Sequence, residues 1–202
     1  MRKSTILAAA LTACGVLAIA GEAAAEPRTH DGFQFRGTVG PGYLSTSASQ
    51  GGADETIKGV SGAFDAYFGG TPVTGLVIGG TFGWATAFGP SISLNGQSFT
   101  GSGSTSLSLL TVGPYVNYYL DPADGLYFLG MIGYGVESYT QNGASGNSPG
   151  GPAFALGAGY DFWVANEWSL GVLGKFTYGS LSLNSVTYST ISPAIMFSFN
   201  FH

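Results

Sequence analysis

The chain reads as all-β: an eight-stranded antiparallel up-and-down barrel that crosses a membrane with its strands. Three observations predict it. Apolar residues alternate with small or polar ones through eight segments, the period of a strand with one face in grease. The connections between those segments alternate long and short. Charged residues make up only 8% of the 202 residues, while Gly occurs 34 times and aromatics reach 14%. Soluble domains carry about a quarter charged residues. So few charges cannot easily coat a soluble domain of this size, but they suit a surface that mostly faces lipid. The aromatic and aliphatic content opposes disorder. A Gly-rich soluble β-sandwich is the competing fold.

Taken in order, the N-terminus sets the destination. Arg2 and Lys3 precede an apolar run over residues 6–20, and Ala23-Ala24-Ala25 before Glu26 offers a cleavage site. Residues 1–25 therefore read as a cleaved signal peptide and residues 26–202 as one barrel domain. Leu11-Thr12-Ala13-Cys14 also fits a bacterial lipoprotein signal. Against it, the apolar run before Cys14 is very short, and Val16-Leu17-Ala18-Ile19-Ala20 would be an apolar start for a lipoprotein. Cleavage after Ala25 removes Cys14 and leaves no thiol or disulfide chemistry. The basic residues that remain are Arg28, Arg36, Lys58 and Lys175. They form no basic patch, which excludes a nucleic-acid partner. No apolar run outside the signal reaches the length of a membrane helix.

The strand segments are about 32–45, 57–68, 75–88, 107–120, 126–139, 153–163, 168–178 and 190–202. In the first, Phe33, Phe35, Val39 and Tyr43 oppose Gln34, Arg36 and Thr38. In the second, Val60, Phe64 and Phe68 oppose Ser61, Asp65 and Tyr67. In the third, Ile78, Phe82, Trp84 and Phe88 oppose Gly79, Thr81 and Gly83. Leu110, Val112, Val116 and Tyr118 oppose Thr111, Tyr115, Asn117 and Tyr119 in the fourth. Phe128, Ile132 and Tyr134 oppose Tyr127, Met131 and Glu137 in the fifth. Phe154, Leu156, Tyr160 and Phe162 oppose Gly157 and Asp161 in the sixth. Trp168, Leu170, Val172, Phe176 and Tyr178 oppose Ser169, Leu173 and Lys175 in the seventh. The last carries Ile191, Ile195, Phe197, Phe199 and Phe201 on one face and Thr190, Ser192, Met196, Ser198 and Asn200 on the other. Residues 46–56, 89–104, 140–152 and 179–186 read as long loops, with Ile92 and Leu94 able to extend a hairpin. Residues 69–74, 121–125 and 164–167 read as short turns.

Short turns on one side, long loops on the other and an even strand number are the plan of an outer-membrane barrel. The aromatics fall into two bands. Phe33, Phe68, Tyr118, Phe128, Phe162, Trp168 and Phe201 lie toward the short turns. Tyr43, Trp84, Phe88, Phe154 and Tyr178 lie toward the long loops. Such bands are the interfacial girdles of a barrel in a bilayer. On this architecture, residues 32–202 resemble the small eight-stranded outer-membrane proteins of the OmpA, OmpX and OmpW kind. Phe197-x-Phe199-x-Phe201 resembles the C-terminal assembly signal of that family, followed here by His202. The resemblance implies delivery by the barrel-assembly machinery and residence as a monomer among the lipids of a bacterial outer membrane.

Barrels of this size include lipid-modifying enzymes, which the resemblance makes worth testing. The two histidines, His30 and His202, fall at the short-turn end and read as solvated rather than catalytic. The glycine pairs complete no dinucleotide or phosphate-loop fingerprint. Asp54-Glu55 reads as a solvated loop rather than a cation site. No catalytic, cofactor or metal residue is therefore assigned. The informative set is the ionisable residues on the lumen face: Arg36, Asp65, Glu137, Asp161 and Lys175. Counting from turns pairs Arg36 with Asp65 and Glu137 with Lys175, with Asp161 near the first pair. An eight-stranded lumen is just wide enough for side chains to fill or for one small ligand. The leading functional expectation is a structural or surface-interacting barrel with a filled lumen. A channel for small hydrophobic molecules with a side opening, as in the OmpW kind, comes second, and a lipid-A-modifying enzyme last.

Overall fold

Alternating side chains build a closed wall. The computed structural model describes residues 28–202 apart from 31, 51, 52, 101–103 and 147. The signal-peptide segment 1–25, Cys14 included, lies outside the described residues. Eight long strands form the wall: β1 (Phe33–Gln50), β2 (Ala53–Val73), β3 (Leu76–Phe88), β6 (Thr105–Tyr119), β7 (Leu126–Gln141), β9 (Gly150–Trp163), β10 (Trp168–Leu183) and β11 (Val186–Phe201). Short pieces β4 (Ser91–Leu94), β5 (Gln97–Thr100) and β8 (Ala144–Ser145) decorate it. Each long strand pairs antiparallel with its neighbour, and β1 pairs with both β2 and β11, which closes the barrel.

The burial pattern follows the alternation read from the sequence. Phe33, Val39, Phe64, Phe68, Trp84, Phe88, Tyr118, Phe128, Ile132, Phe162, Phe197 and Phe199 are all exposed on the outside. Trp168, Tyr178 and Phe201 face outward half-buried. A continuous apolar outer wall of this kind is unstable in water and stable in hydrocarbon. The barrel is a transmembrane one. Aromatic neighbours touch across strands: Trp168 lies 4.7 Å from Phe199 and 4.9 Å from Phe201, and Phe154 lies 5.2 Å from Tyr178.

The long connections need correction. Much of 46–56, 89–104, 140–152 and 179–186 is strand, not loop. β1 and β2 stay paired out to Gln50 and Ala53, and β10 and β11 to Leu183 and Val186. β4 pairs with β2 and folds back on β5. The physical reason is that beyond the lipid both faces of a strand can be polar. The apolar alternation fades there while the backbone ladder continues. The chain reverses in two-residue turns. Asn95-Gly96, Asn142-Gly143 and Asn184-Ser185 all have positive φ, as two-residue type I′ hairpin turns require.

Candidate functional site

Among the described residues, the lumen gathers the ionisable and hydrogen-bonding side chains. Nearest the short turns, Arg36 is 1% exposed and projects from β1. Its Nη2 donates to Asp161 Oδ2 at 2.8 Å and to Tyr119 Oη at 2.7 Å, and its Nε donates to Asn200 Oδ1. The guanidinium also lies 4.0 Å over the Tyr127 ring. Tyr119 Oη and Ser198 Oγ donate in turn to Asp161. One level on, Lys175 Nζ lies 2.5 and 2.6 Å from the two Asp65 oxygens, and Thr38 and Tyr67 hydroxyls donate to Oδ2 of that carboxylate. Glycines make room for both acids. A Cβ at Gly171 would meet Asp161 Oδ1 at 2.2 Å, and one at Gly83 would meet Asp65 Oδ1 at 2.6 Å. Buried tyrosines and methionines, Tyr67, Tyr115, Tyr127, Met131 and Met196 among them, fill the space between.

The expected partners are rearranged. Arg36 takes Asp161 rather than Asp65, and Lys175 takes Asp65 rather than Glu137. Glu137 accepts from Thr46 and Thr190 hydroxyls and meets no cation among the described residues. Counting heights from turns fails because barrel strands tilt and their register staggers. Lys175 stands in register with Gly157 and, through it, Leu129. That is far down β7 from Glu137. Around Glu137 the lumen is apolar, with Leu44, Leu107, Leu109 and Leu181 buried together.

The histidines also need correction. His30 is not solvated but fully buried, and His202 is largely so. The polar lead folds under the barrel mouth. His30 N–H donates to the Pro122 carbonyl at 3.0 Å, and Gly75 N–H donates to the His30 carbonyl at 2.9 Å. The His30 ring stacks on Tyr119 at 3.4 Å and on Trp163 at 4.7 Å. His202 N–H donates to the Glu167 carbonyl, and its ring lies 4.4 Å from His30. Burial lowers the His30 pKa to about 4, with Arg36 adding to the fall and Asp161 and Asp124 opposing it. Burial, then the His30 and Arg36 charges, lower His202 to about 2. Both rings are neutral at ordinary pH and cap the lumen from below.

The outer wall carries one further feature. Pro114 and Pro152 sit inside strands, where a residue with no N–H breaks the ladder. The β6–β7 register stops at Val112–Tyr134 and resumes at Tyr115–Met131. The β9–β10 register skips from Ala153–Gly179 to Gly150–Ser182. Beside these gaps lies an almost wholly apolar depression of about 550 Å³, lined by Pro114, Ile132, Gly133, Pro152, Phe154 and Tyr178. On the lumen side of this stretch apolar side chains pack close against the backbone. A Cβ at Gly135 would meet Leu181 at 3.2 Å and Ala153 at 3.3 Å. Interior prolines in a strand pattern were the sequence signal for this spot. Nothing in the sequence placed Gln34, Trp163 or Ser169 around His30 and His202.

By sequence, neither a protein-family model nor a curated protein matches the chain. By structure, it is similar to Neisserial surface protein A (15% identity, 85% of this chain and 97% of that one, TM-score 0.58). It is also similar to the outer membrane protein OprG from Pseudomonas aeruginosa (12%, 88% and 100%, TM-score 0.53). The outer membrane protease OmpT from Escherichia coli aligns more loosely (9%, 86% and 97%, TM-score 0.43). The fold is that of small bacterial outer-membrane barrels.

Proposed function

We propose that this is a non-catalytic, monomeric barrel of a bacterial outer membrane that presents its long hairpins outside the cell and keeps its lumen shut. The sealed lumen carries this reading: two ion pairs, a tyrosine fill and the buried histidine cap lie in series. The two histidines are spent in that cap at the short-turn end, away from outer-leaflet lipid. The hairpins are the surface left for a partner. Planar-bilayer conductance tests it. The expected trace has no large, steady openings, and such openings would overturn the sealed lumen. Orientation has its own test. Protease on whole cells cuts only within the long hairpins, and cleavage near Asp121 in intact cells reverses the assignment. Phe201 serves the assembly signal, so Phe201→Ser lowers membrane insertion more than a change at His202.

The lateral depression favours a second reading, passage of small hydrophobic molecules from the outer half of the lumen sideways into the bilayer. Both sides of the wall there are apolar. Uptake of a hydrophobic solute that falls in Pro114→Ala and Pro152→Ala would raise this reading above the first.

A further inference from the structure

The chain has two histidines, 172 residues apart, and they meet at one point beneath the lumen. His30 Nε2 is 3.1 Å from the Asp124 carbonyl oxygen, which only accepts. That nitrogen therefore carries the proton, and in the neutral ring Nδ1 carries the lone pair. The lone pair faces His202 Nδ1 at 3.1 Å. His202 Nε2 lies 2.9 Å from Ser169 Oγ, which is able to take its proton. Each ring thus has its far nitrogen held by an oxygen, the arrangement that orients metal-ligating histidines. A third group points to the same place. The Gln34 amide nitrogen is 3.3 Å from His202 Nδ1, while the buried Gln34 Oε1 has no hydrogen-bond partner. The same nitrogen donates to Tyr119 Oη at 2.9 Å, so a half-turn of the amide, which exchanges the two atoms, turns the Tyr119 O–H from Asp161 to Gln34 Oε1.

We propose that His30 Nδ1, His202 Nδ1 and Gln34 Oε1 form a divalent transition-metal site that ties the two ends of the barrel chain together at its mouth. At metal–nitrogen distances of about 2.0–2.1 Å, a 3.1 Å separation subtends about 100°, close to tetrahedral. Two imidazoles and a carbonyl suit Zn²⁺, Cu²⁺ or Ni²⁺, not Mg²⁺ or Ca²⁺. Among the described residues no three His, Cys, Asp or Glu converge; in this site the third ligand is the amide oxygen, and water completes the set. Without metal one proton does the same work: His202 Nδ1–H donates to His30 Nδ1, and Ser169 O–H donates to His202 Nε2. Metal binding shifts His202 to its other tautomer and releases no proton from the neutral rings. Acid competes by protonating them. Because only the folded barrel brings the ligands together, metal stabilises it.

The test uses full-length protein without a histidine tag, extracted from membranes in detergent and titrated with Zn²⁺, Cu²⁺, Ni²⁺ and Mg²⁺. One equivalent of Zn²⁺, Cu²⁺ or Ni²⁺ binds and raises the unfolding midpoint, and Mg²⁺ does neither. His202→Gln and His30→Gln each lose at least about tenfold in affinity, and Gln34→Leu loses less. Absence of stoichiometric binding, equal binding of Mg²⁺, or undiminished binding in both histidine variants overturns the site. Where a variant fails to fold, Cu²⁺ spectra of wild-type protein decide. Coupling to two histidine nitrogens supports the site, and coupling to fewer overturns it.

Discussion

The two halves of the lumen are closed by different chemistry. Toward the short turns, Arg36, Asp161, Tyr119, Asn200 and Tyr127 interlock through charge-assisted bonds of fixed geometry. Toward the long hairpins, leucines meet one another, and the buried acid among the described residues there, Glu137, is held by hydroxyls. The difference sets the cost of a change. A charge pair specifies its partners, and a leucine cluster specifies only volume. The short-turn half should therefore fail sharply under substitution and the hairpin half mildly.

Arg36→Ala is the largest expected effect. Asp161 keeps Tyr119 and Ser198 but loses its cation in a buried site. Breaking a buried pair from one side costs about 3–5 kcal/mol. Denaturant unfolding of the barrel in detergent measures it, and Arg36→Ala with Asp161→Ala should recover part of the loss. Wild-type stability in the single variant would break the comparison. Lys175→Ala comes next, at about 3 kcal/mol, near the lower edge of that range. Its side chain is 10% exposed, and Asp65 keeps the Thr38 and Tyr67 bonds. A double-mutant cycle should couple Lys175 to Asp65 and not to Glu137.

Acid should loosen the mouth before the hairpin half. Both histidines have folded pKa values lowered from 6.5, to about 4 and about 2. Between pH 6.5 and 4 the unfolded chain binds more protons, so stability is full above 6.5 and falls as pH falls. At pH 5.5 the loss is about 1.4 kcal/mol per ring. Unfolding midpoints of wild type against His30→Gln across that window measure it, and the variant's curve should be flatter.

The wall was legible because period-two alternation is imposed by lipid. Val39, Phe64, Phe128 and Phe197 could face nowhere else. The lumen acids and bases were legible as a set for the same reason, since their face was fixed. Their partners were not. Arg36 reaches Asp161 across β11 and β10 because strand tilt and stagger bring them level, and those are properties of the closed barrel rather than of any one segment. The Asn-Gly pairs at 95 and 142 carried a hairpin signal of their own. The histidine cap was hidden because it joins residues from opposite ends of the chain, and no local pattern records that.

The mildest substitution is also the sharpest test of the contrast. Glu137→Gln keeps a side-chain carbonyl where Thr46 and Thr190 donate. It removes a charge that faces no cation among the described residues and stands beside leucines. The expected change is within about 1 kcal/mol, the worth of one ordinary hydrogen bond. Glu137→Leu should also be tolerated, because the two threonine hydroxyls lie 2.9 Å apart and can satisfy each other. Combined with Lys175→Ala, Glu137→Gln should add its small effect without coupling. Unfolding midpoints of the two singles and the double decide the matter. If Glu137→Gln costs as much as Lys175→Ala, the acid answers to a cation after all, and the hairpin half is held by charge like the half below it.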